Sequence, residues 1–207
     1  MVSLLLFTCS NNVIAQQSIT VVIGTQFWSG KNLEVSSFRN GEVIPEARTN
    51  AEWQKAGEEG KPAWCYYKND PANGKKYGKL YNWFAVNDPR GLAPKDWHIP
   101  TNEDWITLTD KLGGEVKAGL QMRSTIGWKD NKNGRNSSGF AGLPAGYRDK
   151  DGTFRSIGES GNWWSSTEEL TGSAGYRFLA YSLANLNSSI EDEQTGFSVR
   201  ILSDLSH

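Results

Sequence analysis

The clearest periodic signal in this chain is a single short helix, and most of the remaining sequence carries no helical repeat. Trp105, Leu108 and Leu112 fall at i, i+3 and i+7, which puts them on one apolar stripe and leaves Asp104, Thr107 and Lys111 toward water. Thr101 after Pro100 is a good N-cap, Glu103 and Asp104 sit where the helix dipole favours negative charge, and Gly113-Gly114 stops the run. The pattern predicts a helix over Asn102–Leu112. Two weaker helices are expected over Asn50–Ala56, capped by Thr49 or Asn50 and stopped by Gly57, and over Val116–Met122. A chain with so little helix must build its core from short strands and loops.

Those strands are read from β-branched and alternating runs between turn residues. Ile19–Gly24 opens the fold, and Gly41 marks a short hairpin between Phe38-Arg39-Asn40 and Val43-Ile44 that ends at Pro45. Trp64–Val86 reads as strands or irregular segments packed through their rings, without helix. Asp151-Gly152 places Phe154 in a hairpin arm, and Tyr176–Leu183 and Gly196–Leu202 alternate as two closing core strands. Nine Trp, seven Tyr and eight Phe beside 22 Gly either fill a loop-rich core or line a stacking platform. With 207 residues the chain is about one domain long. Its 22 Lys and Arg against 23 Asp and Glu leave no excess positive charge for nucleic acid.

The first 15 residues read as an export signal. Val2–Phe7 is apolar, and Val13-Ile14-Ala15 supplies a small-residue cleavage pattern that would leave Gln16 first. No Lys or Arg precedes the apolar run, so the start is expected to lie inside a longer signal. The alternative is a lipobox, Leu6-Phe7-Thr8-Cys9, with Cys9 lipidated. In both readings the protein leaves the cytoplasm, and residues 16–207 form a single domain. The apolar run is far too short for a transmembrane helix. Without Cys9, Cys65 is the only ordinary thiol, so no internal disulfide forms; between aromatic neighbours it reads as a small buried hydrophobe.

Several strings together resemble the Fibrobacter succinogenes major paralogous domain, a group of exported and lipoprotein-borne domains of Bacteroidetes and Fibrobacteres. They include Ile23-Gly24-Thr25-Gln26-Phe27-Trp28, Tyr77-Gly78-Lys79-Leu80-Tyr81-Asn82-Trp83, Trp97-His98-Ile99-Pro100-Thr101, Leu143-Pro144-Ala145-Gly146-Tyr147-Arg148, Trp163-Trp164-Ser165-Ser166-Thr167 and Gly196-Phe197-Ser198-Val199-Arg200. The Pro100-Thr101 helix start and the Gly196–Arg200 run are also similar to those of C-type-lectin-like and formylglycine-generating-enzyme-type domains. This resemblance implies an α+β, C-type-lectin-like fold: two short helices on small twisted antiparallel sheets, long loops, and the termini paired in adjacent strands. Family members often carry cysteines where Ala93 and Ile201 stand here, so those two residues are expected to lie close together in apolar packing.

Catalysis is not expected. Oxidation of the formylglycine-generating kind needs two thiols for copper, and only one is present. The only histidines are His98, read as a hydrogen-bonded structural residue, and His207, and no Gly-x-Ser-x-Gly elbow occurs. Glu103, Asp104, Glu159, Glu168 and Asp192 are glycosidase candidates that no sequence argument pairs. Asp130–Gly134 resembles a calcium loop, but alternate positions give Lys132 and Gly134, so it reads as an Asn-Gly hairpin turn. Glu191-Asp192-Glu193 reads as a solvated loop, and no metal or cofactor is expected.

What remains is surface recognition by a noncatalytic, exported binding or adhesion module. Its partner would be a glycan or a cell-surface protein; the alternatives are a structural subunit of an outer-membrane or extracellular assembly, or a glycan-active enzyme. Trp128, Tyr147, Arg148, Asn162 and Trp163 are the candidate ligand contacts, with rings for stacking and Arg or Asn for hydroxyls. Tyr147 and Arg148 are also readable, and more readily, as a structural contact that holds their loop. Adjacent Trp163 and Trp164 point opposite ways in an extended strand, so one is expected in the core and the other outside.

Overall fold

The structure, a computed structural model, describes residues 20–205. The expected export segment, Cys9 and His207 therefore lie outside the described residues. In chain order the elements are β1 (Thr20–Ile23), β2 (Gln26–Ser29), α1 (Asn50–Glu58), β3 (Trp64–Cys65), α2 (Pro71–Tyr77), β4 (Leu80–Tyr81), α3 (Trp83–Val86) and β5 (Trp97–His98). They continue as α4 (Asn102–Lys111), α5 (Glu115–Met122), β6 (Tyr147–Arg148), β7 (Phe154–Arg155), β8 (Ser160–Leu170), β9 (Ser173–Ala180), β10 (Asn187–Asp192) and β11 (Leu202–Ser203). The class is α+β. Small antiparallel sheets run in the orders β1-β2-β11-β5 and β10-β9-β8, with two-stranded β3-β4 and β6-β7 beside them.

The helix signals carry through to the structure. Thr101 caps α4 and forms a reciprocal capping box with Asp104, and Thr49 does the same with Glu52 at α1. Trp105 and Leu108 are buried, and Leu112 is half-buried beside them. Two helices appear where strands or irregular segments were expected, so the described residues hold five helices and not the expected two or three. Both grow from local caps: Asp70 accepts from the Ala72 N–H with Pro71 at the first helical position, and Asn82 accepts from the Ala85 N–H. They are too short to show a period.

Three strand expectations change as well. The Gly41 turn closes with a single Ser37–Val43 bridge and not a ladder. Asn133-Gly134 is no hairpin turn, because a 3-10 turn at Lys129–Asn131 precedes it and Asn133 Oδ1 caps the Trp128 N–H at 3.1 Å. Gly196–Leu202 forms no continuous strand: Gly196 bridges Arg148, Phe197 bridges Tyr81, Ser198 bridges Trp163, and only Leu202 enters a named strand.

The apolar interior divides into three clusters. One gathers Trp64, Tyr81, Trp83, Trp164, Phe197 and Val199, and includes both Ala93 and Ile201. A second holds Trp28, Trp105, Trp128, Phe140, Trp163 and Leu179, and a third lies around Trp53, Cys65 and Tyr67. Trp163 and Trp164 do point opposite ways, yet both are fully buried, which corrects the expectation that one faces out. β8 runs between the first two clusters, so each of its faces meets a core.

Candidate functional site

The same packing decides the fate of the expected ligand contacts. Trp163 donates from Nε1 to Asn32 Oδ1 at 2.9 Å, edge-on to Phe140, and has no exposed surface. Trp128 is buried, with Nε1 on Ser124 Oγ at 3.0 Å and the Arg123 guanidinium 4.8 Å from its ring. Asn162 is buried too, and its amide donates to Ser160 Oγ at 2.9 Å and Gly146 O at 3.3 Å. Arg148 has no exposed surface and donates to Ala47 O at 2.7 Å and Gly152 O at 3.0 Å. These four side chains hold the fold together and cannot meet a ligand at the surface. Of the five, Tyr147 alone is half-exposed.

Tyr147 leads to a face that sequence reasoning missed. Partners across β8, β9 and β10 share a side of the sheet, so the Trp164–Tyr176–Ser189 and Asn162–Phe178–Asn187 rows lie next to each other. Trp164 and Asn162 are buried at the inner end of these rows, while Tyr176 and Phe178 are half-exposed. Their rings stack side by side, 5.7 Å between centroids and 29° apart in plane. Tyr147 and Tyr176 both rest on Phe197, at 5.8 and 4.6 Å, so a buried ring fixes the geometry of the exposed ones.

Hydrogen-bonding groups border these rings. Ser189 bonds the Tyr176 hydroxyl, and Glu191 lies near both tyrosines. Burial, reinforced by Glu191 for Tyr176 and by Asp149 for Tyr147, holds both phenols above their ordinary value, so both stay protonated donors at neutral pH. Arg155, cross-strand partner of Tyr147, is paired with Asp149 at 2.8 Å, and Lys150 meets Asp192 at 3.0 Å. Flat rings between fixed donors and acceptors can stack on the apolar face of a sugar and bond its hydroxyls. The alternation over Tyr176–Leu179 is visible in the sequence, but its exposure depends on β10 (Asn187–Asp192), and Glu191-Asp192, expected in a solvated loop, belong to that strand.

Groups with chemical potential elsewhere are tied up in structure. Cys65 is fully buried, and burial pushes its thiol up to about 12. His98 lies between two carboxylates, with Nδ1 at 2.5 Å from Asp204 and Nε2 at 3.2 Å from Asp104, linking β5 to the start of α4 and to the segment after β11. Lys79 is buried with its amine 3.5 Å from the Trp64 ring centre, and burial lowers it to about 8. Among the described residues no group of three or more His, Cys, Asp or Glu side chains is arranged to hold a metal ion, and no helix is long and apolar enough to cross a membrane.

No curated protein and no solved structure matches the chain. A family match covers residues 21–202, nearly the whole described fold, and the chain belongs to the Fibrobacter succinogenes major domain family.

Proposed function

We propose that this chain is an exported, noncatalytic binding module with a C-type-lectin-like fold that recognises glycan through the face built by Tyr147, Tyr176 and Phe178. The observation that carries this reading is the half-exposed, near-coplanar Tyr176–Phe178 pair, braced from behind by Phe197 and bordered by Ser189, Asn187 and Glu191. The fold assignment is supported by the pairing of β2 with β11, which brings the two ends of the domain together, and by α4 packing against β8. Export is supported by the apolar segment and small-residue cleavage pattern of residues 1–15. A noncatalytic role is supported by the buried, protonated Cys65 and by a His98 already engaged on both ring nitrogens.

The test is a glycan array followed by titration calorimetry on the full chain, with Tyr176→Ala and Phe178→Ala compared at equal circular dichroism. Saturable binding weakened at least tenfold by either substitution is expected, since ring stacking and its hydrogen bonds contribute more than about 1.4 kcal/mol. A silent array, with one cell-surface protein captured stoichiometrically from native envelopes, would replace this reading with an assembly subunit.

A further inference from the structure

A second concave site lies on the other side of the three-stranded sheet, against the cluster that contains Trp128 and Leu179. It is a solvent-open cleft of about 260 Å³, lined by Leu120, Arg123, Lys132, Asn133, Tyr181 and Leu183. Tyr176 packs on the first cluster and Tyr181 on the second, so the cleft shares no residue with the aromatic face.

The charge balance of this cleft is one-sided. The Arg123 side chain is 2 % exposed and its guanidinium donates only to backbone carbonyls: Lys132 O at 2.9 Å, Ala180 O at 2.5 Å and Leu183 O. Its Nε–H meets no acceptor. Among the described residues no carboxylate pairs with Arg123 or with Lys132, so the lining of one cavity carries a desolvated guanidinium and an ammonium without a counter-ion. Asn133 spends Oδ1 on the Trp128 N–H, which leaves its amide N–H₂ as a further donor. Lys129 and Lys132 lie 5.1 and 5.5 Å from the centre of the Tyr181 ring, and Lys129 is neutralised by Glu159 at 2.7 Å. The cleft therefore offers an aromatic ring and two leucines for an apolar ring face, together with unspent donors and net positive charge.

We propose that this cleft binds a carboxylated sugar unit, a hexuronate, with its pyranose ring against Tyr181 and Leu183 and its carboxylate toward Lys132 and Asn133. The buried charge of Arg123 acts from behind through the low-dielectric wall, and its fixed hydrogen bonds hold that wall in place.

Titration calorimetry of the full chain with glucuronate, methyl glucoside, acetate and inorganic phosphate tests this directly. Glucuronate is expected to bind, to bind more weakly in high salt, and to lose about tenfold in affinity in Lys132→Gln, whose substituted side chain is exposed and outside the core. Tyr181→Ala is expected to abolish binding, and Tyr176→Ala, on the other face, to leave it unchanged, which separates this site from the aromatic face. Equal binding of methyl glucoside would overturn the anion assignment, and equal binding of acetate or phosphate would overturn the sugar. Failure of glucuronate to bind, or binding indifferent to Lys132→Gln and Tyr181→Ala, overturns the proposal as a whole.

Discussion

Three arginines show how a loop-rich interior satisfies its backbone. Arg123, Arg148 and Arg200 are 2, 0 and 1 % exposed; among the described residues none pairs with a carboxylate, and each donates to main-chain carbonyls. Each also stacks on a ring: Arg148 between Trp53 and Phe154 at 4.8 and 4.7 Å, and Arg200 on Phe140 at 4.3 Å. The planar, weakly hydrated guanidinium suits this use, since it carries several donors on a surface that tolerates apolar contact. Burial lowers Arg200 to about 9, which still leaves it charged at neutral pH. Arg148 joins the segment before α1 to the β6–β7 hairpin through Ala47 O and Gly152 O, so Arg148→Met keeps the packing and strands both carbonyls. A loss of about 3 kcal/mol in urea unfolding is expected, with Arg148→Lys recovering only part of it; an unchanged midpoint for Arg148→Met would show that water replaces the bonds. The sequence singled out Arg148 and offered both a ligand role and a structural one. Strand alternation says that Tyr147 and Arg148 face opposite ways but not which one faces in, and only the position of Trp53 decides it.

At the scale of elements, legibility followed local chemistry. α1 and α4 were readable because cap, dipole charges and stop lie within a dozen residues, and α2 and α3 escaped because seven and four residues cannot display a period. β8 misled because the exposure of a strand depends on what covers each face, and two separate clusters cover this one. β10 was hidden because its polar residues pair with β9 at the sheet edge, where burial is slight. α5 shows the same dependence on distant partners. Gly119 is buried in this helix, where alanine would ordinarily add about 0.5–1 kcal/mol of stability. A Cβ at this position, however, would stand 2.2 Å from Ala184 O and 2.4 Å from Asn185 C, both backbone atoms that cannot swing away. Overpacking of this kind costs about 1–3 kcal/mol and outweighs the propensity gain. Gly119→Ala is therefore expected to lower the thermal midpoint. A raised midpoint would mean that the 184–185 loop yields freely, and with it the wall of the Tyr181 cleft.

The whole molecule is closed by one stretch near its end. Gly196 exchanges backbone bonds with Arg148 at 2.7 and 3.0 Å, and Phe197 does so with Tyr81 at 3.1 and 2.9 Å. Ser198 N–H donates to Asn162 O and its carbonyl accepts from Trp164, both at 3.2 Å. Val199 O accepts from Leu33 at 2.8 Å, Ile201 O from Ser29 at 2.9 Å, and Leu202 sits between Trp28 and His98. Seven consecutive residues thus join parts of the chain from residue 28 to residue 164, and the sequence could not reveal this because the stretch pairs with several separate segments in turn. The first and second clusters meet across β8 and β9 in the sheet, and this thread crosses both clusters and ties in the third through Arg148 and Gly196, whose added Cβ would lie 2.8 Å from Trp53. Such a closure makes the three clusters one cooperative unit. Phe197 is the residue on which that prediction turns, because its ring carries Trp164, Tyr176 and Tyr147 at 4.5, 4.6 and 5.8 Å while its backbone holds β4. Phe197→Ala is expected to cost about 4 kcal/mol and to shift the far-ultraviolet and near-ultraviolet dichroism transitions by the same amount. If only the near-ultraviolet signal moved, the tryptophans of the first cluster would be melting alone, and the final strand would be an ornament on three separable cores instead of their common lock.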